Sequence, residues 1–405
     1  MHSNISPRTL ARPMTVAAGV ANPELSVVMP CLNEFDTLST CISKAQRALS
    51  EHEINGEIIV ADNGSVDGSA EVAAQMGARV IHVAELGYGN ALMAGIAASR
   101  GRYIIMGDAD DSYDFLQLPR FVEKLREGYD LVQGCRLERG GGHVMPGAMP
   151  ILHRLWGNPM FTLLARWWFK APIHDVYCGL RAFTREHYDT LDQRCTGMEF
   201  ASEMIIKSSL NNARIAEVPV TLHRDGRKSH APHLKTFRDG WRTLRFFLLF
   251  SPRWLFLFPG MLFILLGVLG YAVVLPGFQI AGIRFDAHTL LFASLAVLGG
   301  YQAVMFATFT KIFAIGERLL PRDDRMERIF RLVTLERGLV AGALGMLVGM
   351  GLLIGAVLQW RAQDYGDLDY AHTMRWVIPG VTLTALGVQT ILSSFFLSIL
   401  GMHRR

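Results

Sequence analysis

The sequence predicts an α/β domain followed by an α-helical transmembrane domain, in a chain of 405 residues. Two observations lead to this prediction. Up to about residue 250, short apolar strands alternate with helical patterns, which is typical of a parallel, doubly wound sheet. Beyond residue 253, four long apolar runs contain no Asp, Glu, Lys or Arg, although such residues make up 19% of the whole chain. A chain of this length is also too long to fold around a single hydrophobic core, so at least two structural units are expected.

The α/β domain is predicted to span residues 24–232. Its predicted strands are short runs rich in Val, Ile and Leu, and the helical patterns fit between them. The segment before it, residues 1–23, is rich in Ser, Pro and Ala and lacks the apolar core of a signal peptide, so we expect it to be disordered. The predicted strands are 25–30, 57–61, 78–83, 103–107 and 130–134, and the predicted helices are 34–50, 68–76, 88–100 and 117–127.

The transmembrane domain is predicted to span residues 253–405. Each uncharged run reaches the roughly 20 residues that are needed to cross a bilayer core. Buried core helices are the alternative interpretation, but four such runs in succession favour membrane spans. The predicted spans are 254–276, 289–310, 339–360 and 376–402.

Basic residues in the connecting segments predict the orientation of these spans. Segment 311–337 carries seven Lys and Arg residues, whereas the other two loops carry only Arg284, Arg361 and Arg375. Lys and Arg are enriched on the cytoplasmic side of membrane proteins. We therefore expect a multi-pass protein of the inner (plasma) membrane with its α/β domain and both termini in the cytoplasm.

Residues 233–252 are predicted to form an amphipathic helix on the membrane surface. One face carries an apolar stripe flanked by Lys and Arg, whose cations can reach lipid headgroups. An amphipathic core helix is the alternative, and the aromatic segment 156–169 is a second candidate for a surface-lying helix. The stripe consists of Leu234, Phe237, Trp241, Leu244 and Leu248.

Composition excludes other classes of function. The five cysteines form no C-x-x-C pair and no zinc spacing, which indicates reduced cytosolic thiols. The net charge of +4 is small, and no basic run is interleaved with aromatic residues, so no nucleic-acid partner is predicted.

Carboxylates follow three of the predicted strands at the point where each strand ends. The segments are "PCLNE" (30–34), "DNGSVDGS" (62–69) and "GDADDSYDF" (107–115). The carboxyl ends of neighbouring parallel strands share one edge of a sheet, where open α/β sheets bind ligands. Carboxylates bind base N–H groups and ribose hydroxyls, and a metal on an Asp-x-Asp pair neutralises a diphosphate, so the pattern suits a nucleotide sugar. A purely structural role, in which the aspartates cap helices, is the alternative interpretation. The expected crevice residues are Glu34, Asp62, Asp108 and Asp110.

The order and spacing of these motifs resemble those of the family-2 inverting glycosyltransferases. The resemblance is to polyprenol-phosphate glycosyltransferases of the dolichol-phosphate mannose and glucose synthase type, in the subset with four transmembrane helices, and it covers about residues 24–252. It implies a GT-A-type, Rossmann-like nucleotide-sugar transferase domain. The motifs are "VVMPCLNE", "DNGSVDGS", "GYGNALMAG", "GDADDSYDF", "QGCR", "DVYCGLRAF" and "GMEFASEMIIKSSLNNARIAEVPVTLHRDGRKSH".

The resemblance also implies which residues bind the donor. The implied donor-binding residues are Pro30, Asn33, Glu34, Asp62 and Asp108.

For the metal, the resemblance implies that Asp108 and Asp110 act at a divalent cation, Mg²⁺ or Mn²⁺, and at the diphosphate, and are catalytic. Ser112 stands where some relatives carry a Gln ligand, so it is the candidate third ligand, and Asp111 is the alternative.

Arginines are the candidates for binding an acceptor phosphate, because a guanidinium binds phosphate in two places and stays charged. Arg136, predicted also to be catalytic, follows the fifth strand. Arg154, Arg181 and Arg227 fall in segments that the family places around the acceptor. Solvated surface charge is the alternative, above all for Arg227.

Two further patterns remain open at this point. "GYGNALMAG" (87–95) could cradle a phosphate through backbone N–H groups, or its Gly and Ala residues could pack closely against the sheet. Glu199 and Glu203 share a helix face and form either a surface pair or part of the sugar site.

The predicted activity is the inverting, metal-dependent transfer of one hexose from a UDP- or GDP-sugar to a polyprenyl phosphate, undecaprenyl or dolichyl, at the cytoplasmic membrane face. The membrane and the lipid acceptor are the predicted partners, and a homo-oligomer is left open. A processive polysaccharide synthase and a non-catalytic nucleotide-sugar-binding subunit are the alternatives.

Overall fold

The computed structural model describes residues 22–227, 236–280, 283–317, 319–321 and 334–402. Most of the predicted N-terminal segment, much of the basic segment 311–337 and the first residues of the predicted surface helix lie outside the described residues. The architecture confirms the predicted α/β domain followed by a helical, apolar domain.

A seven-stranded mixed sheet forms the centre of the α/β domain, in the order β3-β2-β1-β4-β7-β5-β8. The prediction of a wholly parallel sheet is wrong at β7, which runs antiparallel to both of its neighbours. A four-residue strand carries no signal for its direction, which its tertiary neighbours decide. The strands are β1 (Leu25–Cys31), β2 (Gly56–Asp62), β3 (Arg79–His82), β4 (Tyr103–Met106), β5 (Leu131–Cys135), β7 (Arg181–Thr184) and β8 (Ile215–Pro219), with a separate pair β6 (His143–Val144) and β9 (Thr221–Leu222).

Helices cover both faces of this sheet, because side chains along a strand alternate between the faces. Val27 and Met29 of β1 lie in one core and Val28 lies in the other. Leu38 of α1 belongs to the first core and Leu92 of α3 to the second. The helices are α1 (Phe35–Glu51), α2 (Ser69–Gln75), α3 (Tyr88–Ala98), α4 (Leu118–Arg126), α5 (Asn158–Phe169), α6 (Arg185–Leu191), α7 (Glu199–Leu210) and α8 (Thr236–Leu249).

Within the described residues, the C-terminal part contains four helices that are long and apolar enough to cross a membrane. A π-helical turn, Arg253–Leu257, leads into the first of them. Small residues let these helices approach closely: a Cβ on Gly260 would lie 2.8 Å from the backbone oxygen of Gly300. The helices are α9 (Phe258–Val274), α10 (Ala287–Gly316), α11 (Leu335–Ala362) and α12 (Tyr370–Met402), and the short hairpin β10 (Gln279–Ile280) and β11 (Ile283–Arg284) joins α9 to α10.

An aromatic contact links the α/β domain to the start of the apolar helices. The Trp167 and Trp168 rings of α5 lie 4.1 and 5.7 Å from the Trp254 ring, measured between centroids. Helix α8 buries Phe247 in the second core, whereas Trp241 of the predicted apolar stripe is 61% exposed. The α/β domain therefore rests on the first apolar helix through α5, and α8 is partly a core helix.

Candidate active site

The carboxyl ends of β1, β2 and β4 meet at one edge of the sheet. Pro30 lies within β1 and pairs with β2, and Cys31 stands opposite Asp62. On the other side of β1, the Gly107 N–H donates to the Val28 carbonyl at 3.2 Å. This register brings the three carboxylate-bearing loops together, as their positions in the sequence predicted.

Hydrogen bonds join the loops that follow β1 and β2. Asn33 adopts a left-handed backbone conformation with φ +59°, which Asn tolerates better than most residues. Its side-chain oxygen accepts from the Val66 N–H at 2.9 Å, and its N–H donates to Ser65 Oγ at 2.9 Å. The Ser65 N–H in turn donates to Asp62 Oδ1 at 3.1 Å, and His82 Nδ1 lies 3.2 Å from Asp62 Oδ2. Asp62 is thus held at the crevice by its own loop.

Glu34 and Arg227 form an ion pair inside the crevice. Arg227 Nη2 donates to Glu34 Oε1 at 2.5 Å, and Nε donates to Oε2 at 2.7 Å. The same guanidinium reaches Asp225 Oδ2 at 2.8 Å and Asp110 Oδ2 at 3.4 Å. Burial lowers the pKa of Arg227, but the hydrogen bond to Glu34 and the charge of Asp110 outweigh this and raise it. Arg227, predicted to contact the acceptor, thus bridges Glu34 and Asp110 in this structure.

Asp108 is held between two other segments of the chain. The Tyr88 hydroxyl donates to Asp108 Oδ1 at 2.9 Å. On the opposite side, a Cβ at Gly179 would lie only 2.5 Å from Asp108 Oδ2. Burial, followed by the charge of Asp110, raises the pKa of Asp108 to about 6. The carboxylate is consequently costly to keep ionised unless a cation is near.

The remaining acidic residues of the cluster differ in role. Ser112 Oγ donates to Asp110 Oδ1 at 2.6 Å and so orients this carboxylate. Asp111, with φ +58°, forms an ion pair with Lys44 at 2.7 Å. Asp114 accepts a backbone N–H at 3.1 Å and caps a short 3₁₀ helix. Asp108 and Asp110 thus lie at the crevice, whereas Asp111 pairs with Lys44 and Asp114 caps a helix.

The donor atoms in the crevice suit a hard divalent cation. Among the described residues, no group of three or more His, Cys, Asp and Glu side chains could hold a metal ion. Mg²⁺ is, however, usually bound through one or two carboxylates together with substrate phosphates. Asp108 and Asp110 provide two such carboxylates, and Arg227 offsets only part of their charge. The residues present therefore fit a cation that is shared with a diphosphate.

Arg136 follows β5 and is almost completely buried. Its Nε and Nη2 donate to the two carboxylate oxygens of Asp175 at 2.7 and 2.8 Å. Nη1 lies 3.4 Å from the Tyr113 hydroxyl, which accepts from the Gly179 N–H at 2.8 Å. Asp175 therefore occupies one edge of the guanidinium, and Nη1 is directed towards Tyr113 and Gly179, next to Asp108.

The other two predicted acceptor arginines lie in contrasting environments. Arg181 in β7 is fully buried, and its Nη1 and Nη2 donate to the backbone carbonyls of Ala201 and Cys178 at 2.5 and 2.7 Å. Burial lowers its pKa. This position corrects the expectation for Arg181, because the core leaves it no face for a lipid phosphate. Arg154 lies at the surface just before α5 and pairs with Glu138 at 2.6 Å.

The first turn of α3 resolves the two interpretations of the glycine-rich motif. The N–H groups of Gly89 and Asn90 donate to the Thr196 carbonyl at 2.9 and 3.3 Å. A Cβ at Gly95 would lie 2.6 Å from Val28 in the sheet. These glycines permit close packing, and the N–H groups of Gly89 and Asn90 are already occupied by the Thr196 carbonyl.

Glu203 is buried rather than directed at a sugar site. It pairs with Lys207 at 2.7 Å, and its Oε2 accepts the Cys195 N–H at 2.8 Å. Sequence reasoning also missed Tyr88, Asp175 and Gly179. All three lie inside motifs that had been recognised, but no spacing rule points to them, because their partners are distant in sequence.

Two regions of the chain match models of known protein families. Residues 26–192 match the model of "Glycosyl transferase family 2", and residues 308–401 match "Glycosyltransferase family 2 C-terminal transmembrane region". Glucosyl-3-phosphoglycerate synthase from Mycobacterium tuberculosis, in complex with Mn²⁺, UDP and phosphoglyceric acid, superposes with a TM-score of 0.46 at 23% identity, over 56% of this chain and 78% of that one.

Two proteins of Haloferax volcanii are similar in sequence. The low-salt glycan biosynthesis hexosyltransferase Agl6 is 37% identical over 385 residues, which are 94% of this chain and 89% of the relative. The dolichyl-phosphate hexose transferase is 33% identical over 198 residues, 49% of this chain and 82% of the relative. The similarity to Agl6 extends over nearly the whole of both chains. With its GT-A-type domain and C-terminal transmembrane region, this chain therefore belongs to glycosyltransferase family 2.

Proposed function

We propose that this glycosyltransferase moves a single hexose from a UDP- or GDP-sugar to a polyprenyl phosphate, undecaprenyl or dolichyl, with inversion at the anomeric carbon. The observation that carries the proposal is that α5 of the carboxylate-bearing domain packs through Trp167 and Trp168 on Trp254, at the start of the first apolar helix. A crevice suited to a soluble nucleotide thus belongs to a domain that rests on the membrane helices. The dolichyl-phosphate hexose transferase among the relatives supports a lipid phosphate as acceptor.

The donor would lie across the ends of β1, β2 and β4. Asn33, Glu34 and Asp62, on the loops after β1 and β2, would bind the nucleoside, since carboxylates and amides pair with base N–H groups and ribose hydroxyls. Asp108 and Asp110 would hold Mg²⁺ or Mn²⁺. When bound, this cation supplies the charge that stabilises the departing nucleoside diphosphate.

The acceptor needs no general base. A phosphate monoester has a second pKa of about 6 and is largely dianionic at neutral pH. Its oxygen attacks the anomeric carbon, and the bond to the nucleoside diphosphate breaks on the opposite face. Arg136, through Nη1, and Arg154, near the start of α5, would offset the charge of the incoming phosphate.

The acceptor's lipid tail would remain in the membrane beside α5. The segment leading into this helix and the helix itself carry a row of exposed apolar side chains, which would lie among lipid headgroups at the cytoplasmic face. The exposed fractions range from 52% to 75%. The residues are Ile151, Leu152, Leu155, Trp156, Leu163 and Trp167.

A reconstituted transfer assay tests this proposal. The full chain would be purified, placed in liposomes with undecaprenyl or dolichyl phosphate, and supplied with UDP- and GDP-hexoses in turn, with Mn²⁺ or with EDTA. We expect one donor to yield a lipid product that carries one sugar, whose anomeric configuration by NMR is opposite to that of the donor. A polymer, retention of configuration, or equal transfer without the prenyl phosphate would contradict the proposal.

A further inference from the structure

We infer that Tyr88 is a positioning residue for Asp108, and that its hydroxyl orients this carboxylate towards the divalent cation and the donor diphosphate. The inference rests on the proposed function, because it assumes that Asp108 acts at the metal and the diphosphate. The donor, metal and acceptor roles proposed above involve no residue of α3. Tyr88 would therefore act from behind Asp108, the carboxylate that contacts the ligand, without contacting the ligand itself.

The geometry around Asp108 leaves its carboxylate little freedom to rotate. Tyr88 donates to Oδ1 at 2.9 Å, from a helix that is separate from the Asp108 loop. Gly179 approaches Oδ2 so closely that an added Cβ would lie 2.5 Å away. Groups that hydrogen-bond a ligating side chain fix its orientation and typically change metal affinity 10–100-fold when they are removed. Tyr88 is placed to act in this way.

The position of Tyr88 is itself fixed by its two neighbouring glycines. Gly87 has φ +143°, and a Cβ on it would lie 2.5 Å from the Thr196 carbonyl oxygen. A Cβ on Gly89 would clash with the Cys195 carbonyl oxygen. Only glycine at both positions lets the first turn of α3 dock on residues 195–196, where Thr196 accepts the Gly89 N–H. The G-Y-G sequence therefore serves to bring one hydroxyl to one carboxylate.

The loop that receives α3 is anchored in turn by a buried ion pair. The N–H groups of Arg194 and Cys195 donate to Glu203 Oε2 at 3.1 and 2.8 Å. Glu203 and Lys207 lie 2.7 Å apart, and both are almost completely buried. This gives Glu203 a role that its place in the sequence did not reveal. It holds the loop against which Tyr88 is positioned.

A hydroxyl also suits the charge of this site better than an ammonium group would. Asp108 and Asp110 must both remain available to a cation, and a lysine in place of Tyr88 would compete with that cation for Asp108. A phenylalanine would leave Oδ1 of this half-buried carboxylate without its donor, which is costly. The neutral hydroxyl satisfies one oxygen and leaves the negative charge in place.

The test compares Tyr88→Phe with Tyr188→Phe, whose ring stacks on Phe183 at 5.3 Å and does not contact Asp108. Mn²⁺ binding to the purified full chain is titrated in the presence of UDP or GDP, and the Tm is measured in parallel. We expect Tyr88→Phe to raise the half-saturating Mn²⁺ concentration about tenfold or more. Turnover should recover at high Mn²⁺, and the KM for prenyl phosphate should stay unchanged. Tyr188→Phe should bind Mn²⁺ like the wild type.

A second variant, Gly179→Ala, displaces Asp108 from its other side and should also weaken Mn²⁺ binding, so the inference stays testable if Tyr88→Phe does not fold. Normal Mn²⁺ affinity in folded Tyr88→Phe would overturn the inference and leave the proposed function intact. Normal affinity in Gly179→Ala would overturn it as well. A wild-type protein that transfers the sugar without binding Mn²⁺ or Mg²⁺ would overturn both the metal role and this inference.

Discussion

Arg136 and Asp175 form a bidentate ion pair, with N–O distances of 2.7 and 2.8 Å, in which Asp175 has no exposed surface. Arg154 and Glu138 form a pair of similar length, 2.6 Å, but at the surface, with the Arg154 side chain 38% exposed. Both arginines were predicted to bind the acceptor phosphate. Because one pair is buried and the other is exposed, the two arginines should contribute differently to the stability of the fold.

Arg136→Ala should destabilise the protein far more than Arg154→Ala. Removing one partner of a buried pair leaves an uncompensated charge and costs about 3–5 kcal/mol, whereas an exposed pair contributes about 1 kcal/mol or less. Thermal unfolding of the detergent-purified full chain would measure the difference. Equal Tm values for the two variants would show that burying the Asp175 carboxylate without Arg136 does not destabilise the fold.

Arg154→Ala should also raise the KM for prenyl phosphate, because the proposal places this arginine at the acceptor phosphate.

Asp110→Asn should lower turnover about 100-fold or more, because the site loses a charge that would hold the cation against the diphosphate. EDTA should abolish wild-type turnover, and Mn²⁺ or Mg²⁺ should restore it. Asp114→Asn is the matched control: this residue caps a 3₁₀ helix, and Asn caps nearly as well as Asp, so turnover should change little. Full activity in EDTA would contradict the metal assignment.

Glu199→Gln should retain turnover within about twofold, because a dianionic phosphate needs no general base, whose loss ordinarily costs 10²–10⁴-fold. Rates of transfer at saturating donor and acceptor would measure this. Glu203→Gln is expected to lower the Tm, since it breaks the buried pair with Lys207. A Glu199→Gln protein that binds both substrates and does not turn over would identify a catalytic base.

The contribution of His187 to the stability of the folded protein should decrease as the pH falls from about 7.5 to about 5.5. Burial lowers the pKa of His187 below its ordinary value of 6.5, although the charge of Asp130 opposes the shift. The unfolded chain therefore binds this proton more readily, so the contribution of His187 is full above about pH 6.5 and is lost as the pH falls. His187→Gln should reduce the slope of Tm against pH. An unchanged slope would mean that His187 ionises equally well in the folded state.

Reporter fusions test the orientation of the membrane helices. Fusions after residues 282 and 368 should be extracytoplasmic, and fusions after residues 325 and 405 cytoplasmic, because Lys and Arg are concentrated in segment 311–337. A cytoplasmic signal at residue 368 would show that α11 and α12 do not form a membrane-spanning hairpin. A wholly inverted pattern would place the crevice on the other side of the membrane.

The strands and their ends could be predicted because each leaves a local pattern. The runs that became β1, β2 and β4 are apolar, and polar motifs follow each at once, so the meeting of their ends follows from sheet geometry. No such pattern marks β7. Its four residues enter the sheet between β4 and β5 through contacts that are distant in sequence.

The sequence predicted the surroundings of the arginines less accurately than it predicted the strands, for a related reason. A sequence shows a positive charge but not its partner. Arg136 and Asp175 are 39 residues apart, and Arg227 and Glu34 are 193 residues apart. Arg181 resembles a ligand-binding arginine in its motif, yet it donates to carbonyls inside the core. Only the tertiary fold decides which guanidinium groups face the crevice.

The packing of Trp167 and Trp168 on Trp254 has a kinetic consequence. A catalytic domain fastened to its own membrane helix cannot diffuse away from the bilayer, so a lipid acceptor reaches it by lateral diffusion. For the proposed acceptor, prenyl phosphate, the relevant concentration would then be its mole fraction in the membrane surface and not its amount per volume. Diluting the vesicles at constant composition should leave the rate per enzyme unchanged, whereas adding inert phospholipid should lower it.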